Sequence, residues 1–148
     1  GEDYWGKQAA TKPVLCPGNA PLSDSLIRGE VRLAPLLYNV GFPKERDGAP
    51  LKLVFPIEGV PATPFAAGLP KTAQNPNAAK LFLNWCLSRE GQEFLVNELG
   101  HLTSLKGGPT PKGFDPKVSK LWLANFDEFD KLRAGWLEEW NKIYNYRQ

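Results

Sequence analysis

The stretch from Asn75 to Gly100, NPNAAKLFLNWCLSREGQEFLVNELG, reads as two consecutive helices with their start and stop signals written in. Asn75 suits an N-cap. Pro76 suits the first helical position, where its missing N–H would lack an intrahelical partner anyway. Ala78, Phe82, Trp85 and Cys86 recur at helical spacing and fall on one face. Ser88 is placed to cap a second helix, and Glu90 puts negative charge in its first turn, where the helix dipole favours it. Phe94, Leu95 and Leu99 continue an apolar face, and Gly100 can close the helix in the left-handed conformation.

With 148 residues, 42% hydrophobic and 11% aromatic, the chain has the length of one domain and the means to bury a core. Its 18 basic and 16 acidic residues leave a net charge of +2. With no Lys/Arg block, that balance makes no electrostatic case for nucleic acid. No apolar run approaches the roughly 20 residues needed to span a bilayer. Cys16 and Cys86 have no metal-ligand spacing, and sequence leaves open a single bridge or two unlinked small hydrophobes. Met is absent, and GEDYWGKQAA resembles the inside of an amphipathic segment rather than a signal peptide. The expectation is part of a longer precursor, with any export signal upstream.

Along the chain, Tyr4 to Ala10 reads as the end of a helix with Tyr4 and Trp5 as its apolar contacts. Val14 to Cys16 is a short strand candidate. A short helix is expected from about Leu22 to Arg28, with Gly29 as its stop. Val31 to Tyr38 alternates in part, and Pro35 makes it an edge strand or a bent one. Asn39 to Pro50 is a loop or irregular helix. Leu51 to Phe55, LKLVF, is a strand by alternation and composition. Pro56 to Pro64 is an ordered crossover by its punctuation, and Phe65 to Leu69 another short strand. His101 to Lys117 is a long Gly/Pro-rich loop of the kind that is functional or draped over another surface. Asp127 to Tyr144 is a helix with Phe129, Leu132, Trp136, Trp140 and Ile143 on one face. The pattern is mixed α/β, a parallel or mixed sheet with flanking helices.

The usual catalytic constellations are missing. His101 is the single histidine, so no metal site rests on histidine pairs. Nothing like G-x-S-x-G supports a triad through Ser104, and a loop or cap histidine is the simpler reading. The nearest glycine-rich loop, LKGGPTPKG at Leu105 to Gly113, loses to its prolines the N–H groups a phosphate cradle needs. Three places remain for a small ligand. Asn19, leading to Ser23 at a helix start, offers N–H groups and a hydroxyl to an anion, with plain N-capping as the alternative. Tyr38 and Asn39 close an apolar strand, where open α/β sheets bind ligands, with a packed tyrosine as the alternative. Glu58, beside Gly59 in the crossover, suits a cationic group, with a solvated loop acid as the alternative.

Several of these segments resemble a known family. Leu26-Ile27-Arg28-Gly29-Glu30-Val31, Gly48-Ala49-Pro50, Phe55-Pro56-Ile57-Glu58-Gly59, and the run from Asn75 to Trp85 followed by Leu87-Ser88-Arg89-Glu90-Gly91-Gln92 stand in order at plausible spacing. Together they resemble the C-terminal part of bacterial extracytoplasmic solute-binding proteins of ABC importers, in the group that includes ferric-iron, polyamine and phosphonate binders. The likeness covers about Leu22 to Gly100, and is loose after His101.

The resemblance implies a periplasmic-binding-protein-like type II α/β fold of two lobes, of which residues 1–148 form a C-terminal portion with residues 56–70 as inter-lobe crossover. It implies a non-catalytic protein without cofactor that closes on a small molecule or ion and presents it to a membrane permease. Localisation would be periplasmic, or lipid-anchored outside the membrane of a Gram-positive cell. The missing N-terminal half would be a further partner. Tyr38 falls near where iron-binding members place adjacent tyrosines, but Leu37 and Asn39 flank it here, and a hard trivalent ion wants several anionic oxygens. An enzyme or a sensory domain on a related two-lobed fold is the alternative.

Overall fold

The computed structural model describes residues 2–145. In chain order its elements are α1 (Glu2–Ala10), α2 (Asn19–Ile27), α3 (Tyr38–Arg46), β1 (Val60–Ala62), α4 (Pro76–Leu87), α5 (Arg89–Asn97), β2 (Leu121–Leu123) and α6 (Phe126–Tyr144). The helices pack in pairs: α4 on α5, α2 on α3, and the first helix α1 on the last, α6. β1 and β2 form a two-stranded parallel sheet in which Val60 faces Leu121 and Ala62 faces Leu123. Among the described residues no helix is long and apolar enough to cross a membrane.

The α4–α5 elbow follows its sequence signals closely. Ser88 Oγ accepts from the Gly91 N–H at 3.1 Å and donates to the Trp85 carbonyl at 2.7 Å. A Cβ on Gly91 would collide with that same carbonyl, so the bend requires glycine there. Gln92, buried in the joint, ties α4, α5 and the following loop together. Its Nε2 donates to the Cys86 carbonyl at 2.7 Å, and its Oε1 accepts from Thr103 Oγ1 at 3.0 Å and the Ser104 N–H at 2.7 Å. Gly100 turns at φ +68°, and its N–H reaches the Val96 carbonyl at 3.2 Å. Asn75 holds the N-cap position of α4 without a side-chain capping bond; its carbonyl accepts from the Ala79 N–H instead.

Similar signals close the other helices. Gly29 (φ +73°) ends α2 in a Schellman turn, with the Glu30 N–H on the Ser25 carbonyl and the Gly29 N–H on the Leu26 carbonyl. Gly48 (φ +91°) ends α3 the same way, through Ala49 to Lys44 and Gly48 to Glu45. Asn125 Oδ1 caps α6 by accepting from the Glu128 N–H at 3.3 Å. The α1–α6 clasp is aromatic: Trp5 meets Trp140 edge-on at 5.7 Å, Trp140 lies 4.0 Å from Tyr144, and the Tyr144 hydroxyl donates to Gln8.

The strands differ from expectation. Residues 14–16, 31–37, 51–55 and 65–69 carry no ladder, and the two strands lie in the 56–64 crossover and after the long loop. Leu51 to Phe55 keeps the alternation of a strand, with Lys52 and Val54 exposed between half-buried neighbours. Its backbone is engaged otherwise, however: the Leu53 N–H donates to Glu45 Oε1 at 3.2 Å. Alternation chooses a face, but a ladder needs a neighbouring strand in register. Tyr38 starts α3 rather than ending a strand, and Pro43 sits inside that helix. Cys16 and Cys86 are free thiols.

Among the described residues the buried large apolar side chains are Val96 and Phe114. The chain exposes 11,788 Å². A self-contained monomer of 16.4 kDa exposes about 7,500 Å². Leu33, Val54, Phe65, Leu81 and Leu123 are each more than 70% exposed. The local joints are therefore well made while much apolar surface stays open.

Gln92→Leu keeps the volume but strands three polar partners, and is expected to cost about 3 kcal/mol in urea unfolding, against about 1 kcal/mol for Ser88→Ala. At the α2 turn, the Arg28 hydrogen bond, supported by Ser25, holds the Glu30 carboxyl at about 2 rather than the ordinary 4.5. A depressed carboxyl contributes its stabilisation fully above the unfolded value and loses it as pH falls from 4.5 towards 2. Arg28→Gln is expected to return the Glu30 midpoint towards 4.5 in an NMR carboxyl titration.

Candidate functional site

The first turn of α3 gathers the residues with the most ligand chemistry. Leu37 takes the N-cap position in extended backbone with no side-chain cap. Its N–H instead donates to Asn19 Oδ1 at 3.3 Å, across from the start of α2. α2 likewise begins after Gly18 without a side-chain cap. The starts of two helices, each with the positive end of its dipole, are thus joined through Asn19. Asn39 is half-buried on the same turn, and Pro43 supplies no N–H to its carbonyl.

Tyr38 anchors this corner. Its ring stacks on Phe42 at 5.4 Å and lies 4.8 Å from Phe55, which meets Phe114 edge-on at 5.2 Å. Its hydroxyl donates to the Lys112 carbonyl at 3.0 Å. Burial, and secondarily the nearby Glu45 carboxylate, push its pKa above the ordinary tyrosine value. The long Gly/Pro loop is draped over α3 here, fastened by Lys112 and the buried Phe114. Sequence reading marked that loop by its length but did not single out Phe42, Phe55, Lys112 or Phe114.

Ser23 takes a different place from the one expected. It lies one turn inside α2, fully buried, rather than at the helix start. Its hydroxyl donates to the Ala20 carbonyl at 2.8 Å and accepts from Lys44 Nζ at 2.7 Å. Lys44 also reaches Asp24 Oδ1 at 2.7 Å, and that contact holds the Asp24 carboxyl below its usual range. With both capacities engaged, Ser23 positions α3 on α2. The helix begins earlier than expected because Pro21, in the first turn, needs no N–H partner there.

Glu58 is exposed just before β1, and its backbone carbonyl accepts from Trp122 Nε1 at 3.3 Å. Gly59 (φ +138°) leaves the room that the Trp122 indole fills, and Lys120 Nζ sits 4.4 Å over that ring. His101 packs edge-on to Phe65 at 6.2 Å. No group of three or more His, Cys, Asp or Glu among the described residues is placed to hold a metal ion. A concavity of about 220 Å³ lies elsewhere, on α6, lined by Phe129, Arg133, Trp136, Leu137 and Trp140.

No protein-family model matches the chain. No solved structure matches it either. Over 126 residues, 80% of its length, it is 39% identical to an uncharacterized protein of Haemophilus influenzae and covers 36% of that protein. Over 82 residues, 55% of its length, it is 32% identical to spermidine/putrescine-binding periplasmic protein 1 of Haemophilus influenzae, covering 23% of it. The chain thus spans between about a quarter and about a third of the length of these curated relatives. Over part of its length, it is similar in sequence to a periplasmic solute-binding protein.

Proposed function

We propose that this chain is the C-terminal portion of an extracytoplasmic solute-binding protein that delivers a small solute to the permease of an ABC importer. The observation that carries the reading is the partial identity to a periplasmic polyamine-binding protein. The proposed fold is periplasmic-binding-protein-like type II, with residues 56–70 passing between lobes. The solute lies against the first turn of α3, where Tyr38 offers an aromatic wall and Asn39 and Asn19 offer amide groups. The N-terminal half supplies the opposite wall, and hinge closure traps the solute without chemical turnover. Ser23 acts at one remove, through Lys44. Glu58 enters the cleft as the lobes close.

Polyamines come first among solutes to test, followed by phosphonates, sugar phosphates and ferric citrate. Thermal-shift measurements on the longer polypeptide are expected to show a raised melting temperature with one of these classes, since a ligand at 100 times its Kd adds about 2.7 kcal/mol. Tyr38→Ala is expected to weaken that solute at least tenfold, about 1.4 kcal/mol, by calorimetric titration. His101→Ala should leave binding unchanged. Absence of a shift with every class sinks the reading.

A further inference from the structure

Tyr38, Phe42 and Arg46 stand four residues apart and follow one another along a single face of α3. The first two are the aromatic pair of the binding corner, stacked at 5.4 Å. Arg46 ends the row. Its guanidinium carbon lies 5.9 Å from the centre of the Phe42 ring, within reach of a cation–π contact. Its Nη1 donates to the Glu98 carbonyl at 3.2 Å and to Glu98 Oε2 at 2.9 Å. Glu98 is the C-cap residue of α5, where helix carbonyls lack intrahelical partners and the dipole favours a cation. Arg46 Nε also donates to Asp47 Oδ1 at 3.1 Å, so the guanidinium is held by more than one bond.

The same turn meets Phe42 directly. Gly100 turns at φ +68°, and a Cβ there would lie 2.9 Å from the Phe42 Cβ. Glycine at this position serves the left-handed turn and also lets the backbone lie against Phe42. The helices pack in pairs, α2 with α3 and α4 with α5. Arg46 and Gly100 join these two pairs, through groups that in the case of Arg46 and Glu98 are 52 residues apart. The contacts form a line. The end of α5 holds Arg46 and Phe42, Phe42 stacks on Tyr38, and the Tyr38 hydroxyl reaches the Lys112 carbonyl.

The Arg46 and Glu98 side chains are 42% and 55% exposed. An exposed ion pair adds little to stability, because water screens the charges and ordering two long side chains costs entropy. What this pair supplies is geometry: a planar cation with several bonds fixes the ring beneath it. A stabilising role and a positioning role therefore predict different outcomes.

We propose that Arg46 is a positioning residue for the solute corner, holding Phe42 against Tyr38 from the end of α5 so that the Tyr38 ring meets the solute in one orientation. Arg46 acts through Glu98 and Phe42 and does not touch the solute. This rests on the reading of the Tyr38 corner as the solute site.

The test uses the longer polypeptide, with spermidine as the probe in calorimetric titration and the Tyr38 ring resonances assigned by NMR through Tyr38→Phe. Arg46→Met keeps the apolar stem and removes the cation. It is expected to weaken spermidine about fivefold and to weaken the Tyr38–Phe42 ring cross-peaks, with the urea midpoint near that of the wild type. Arg46→Lys, which keeps a cation and a donor for Glu98, should recover most of both. Glu98→Ala should weaken spermidine as well, and the double variant no further than Arg46→Met alone, because the two residues act in one line. Additive losses overturn the inference, since they give Arg46 a role independent of Glu98. So do unchanged cross-peaks in Arg46→Met, unchanged affinity, or a loss of affinity that only accompanies a lowered urea midpoint. A wild type that binds none of the solute classes rejects the solute reading. Weakened cross-peaks in Arg46→Met then still uphold the positioning of Tyr38, and unchanged ones overturn it.

Discussion

Apolar surface left in water is the constraint on which this structure turns. Val96 and Phe114 are its buried large apolar side chains among the described residues, and 11,788 Å² remains accessible. What order there is comes from local joints. Helix ends close through Ser88, Asn125, Gly29, Gly48 and Gly100, and Gln92 binds two helices and a loop through one amide. Each such contact contributes about 1 kcal/mol, less than the ordering of the segments costs.

The candidate binding corner shows how much of a site is secondary organisation. Tyr38 owes its orientation to Phe42, Phe55 and the Lys112 carbonyl, three contacts from different parts of the chain. Ser23 and Lys44 fasten the helix that carries it.

Local signals were legible at several short-range bonds, though the turn at Gly48 and the cap at Asn125 were not singled out. The elbow at Ser88, the turn at Gly29 and the left-handed Gly100 all depend on residues within six positions of one another. The strands were not legible in the same way. LKLVF has the right alternation, yet its Leu53 N–H is taken by Glu45, and the pairing that does form joins Val60 to Leu121. Within the candidate site, Tyr38 and Asn39 were found at an element boundary, but on a helix start and not a strand end. Ser23 was found by its hydroxyl and misplaced, because sequence gave no sign that Lys44 would reach it.

The sequence by itself determined the stop of α2 at Gly29, the elbow between α4 and α5 and the turn at Gly100, because capping and left-handed turns are bonds between near neighbours with few alternatives. Period alone marked apolar positions on α4, α5 and α6, yet Phe82, Phe94, Leu99 and Phe129 are exposed and the buried apolar residue of α5 is Val96. Only the tertiary structure decided which extended segments pair, that the Ser23 hydroxyl is taken by Lys44, and that Gly59 must yield its space to Trp122. Those outcomes depend on groups dozens of residues apart meeting in space, and no local period or composition encodes that meeting.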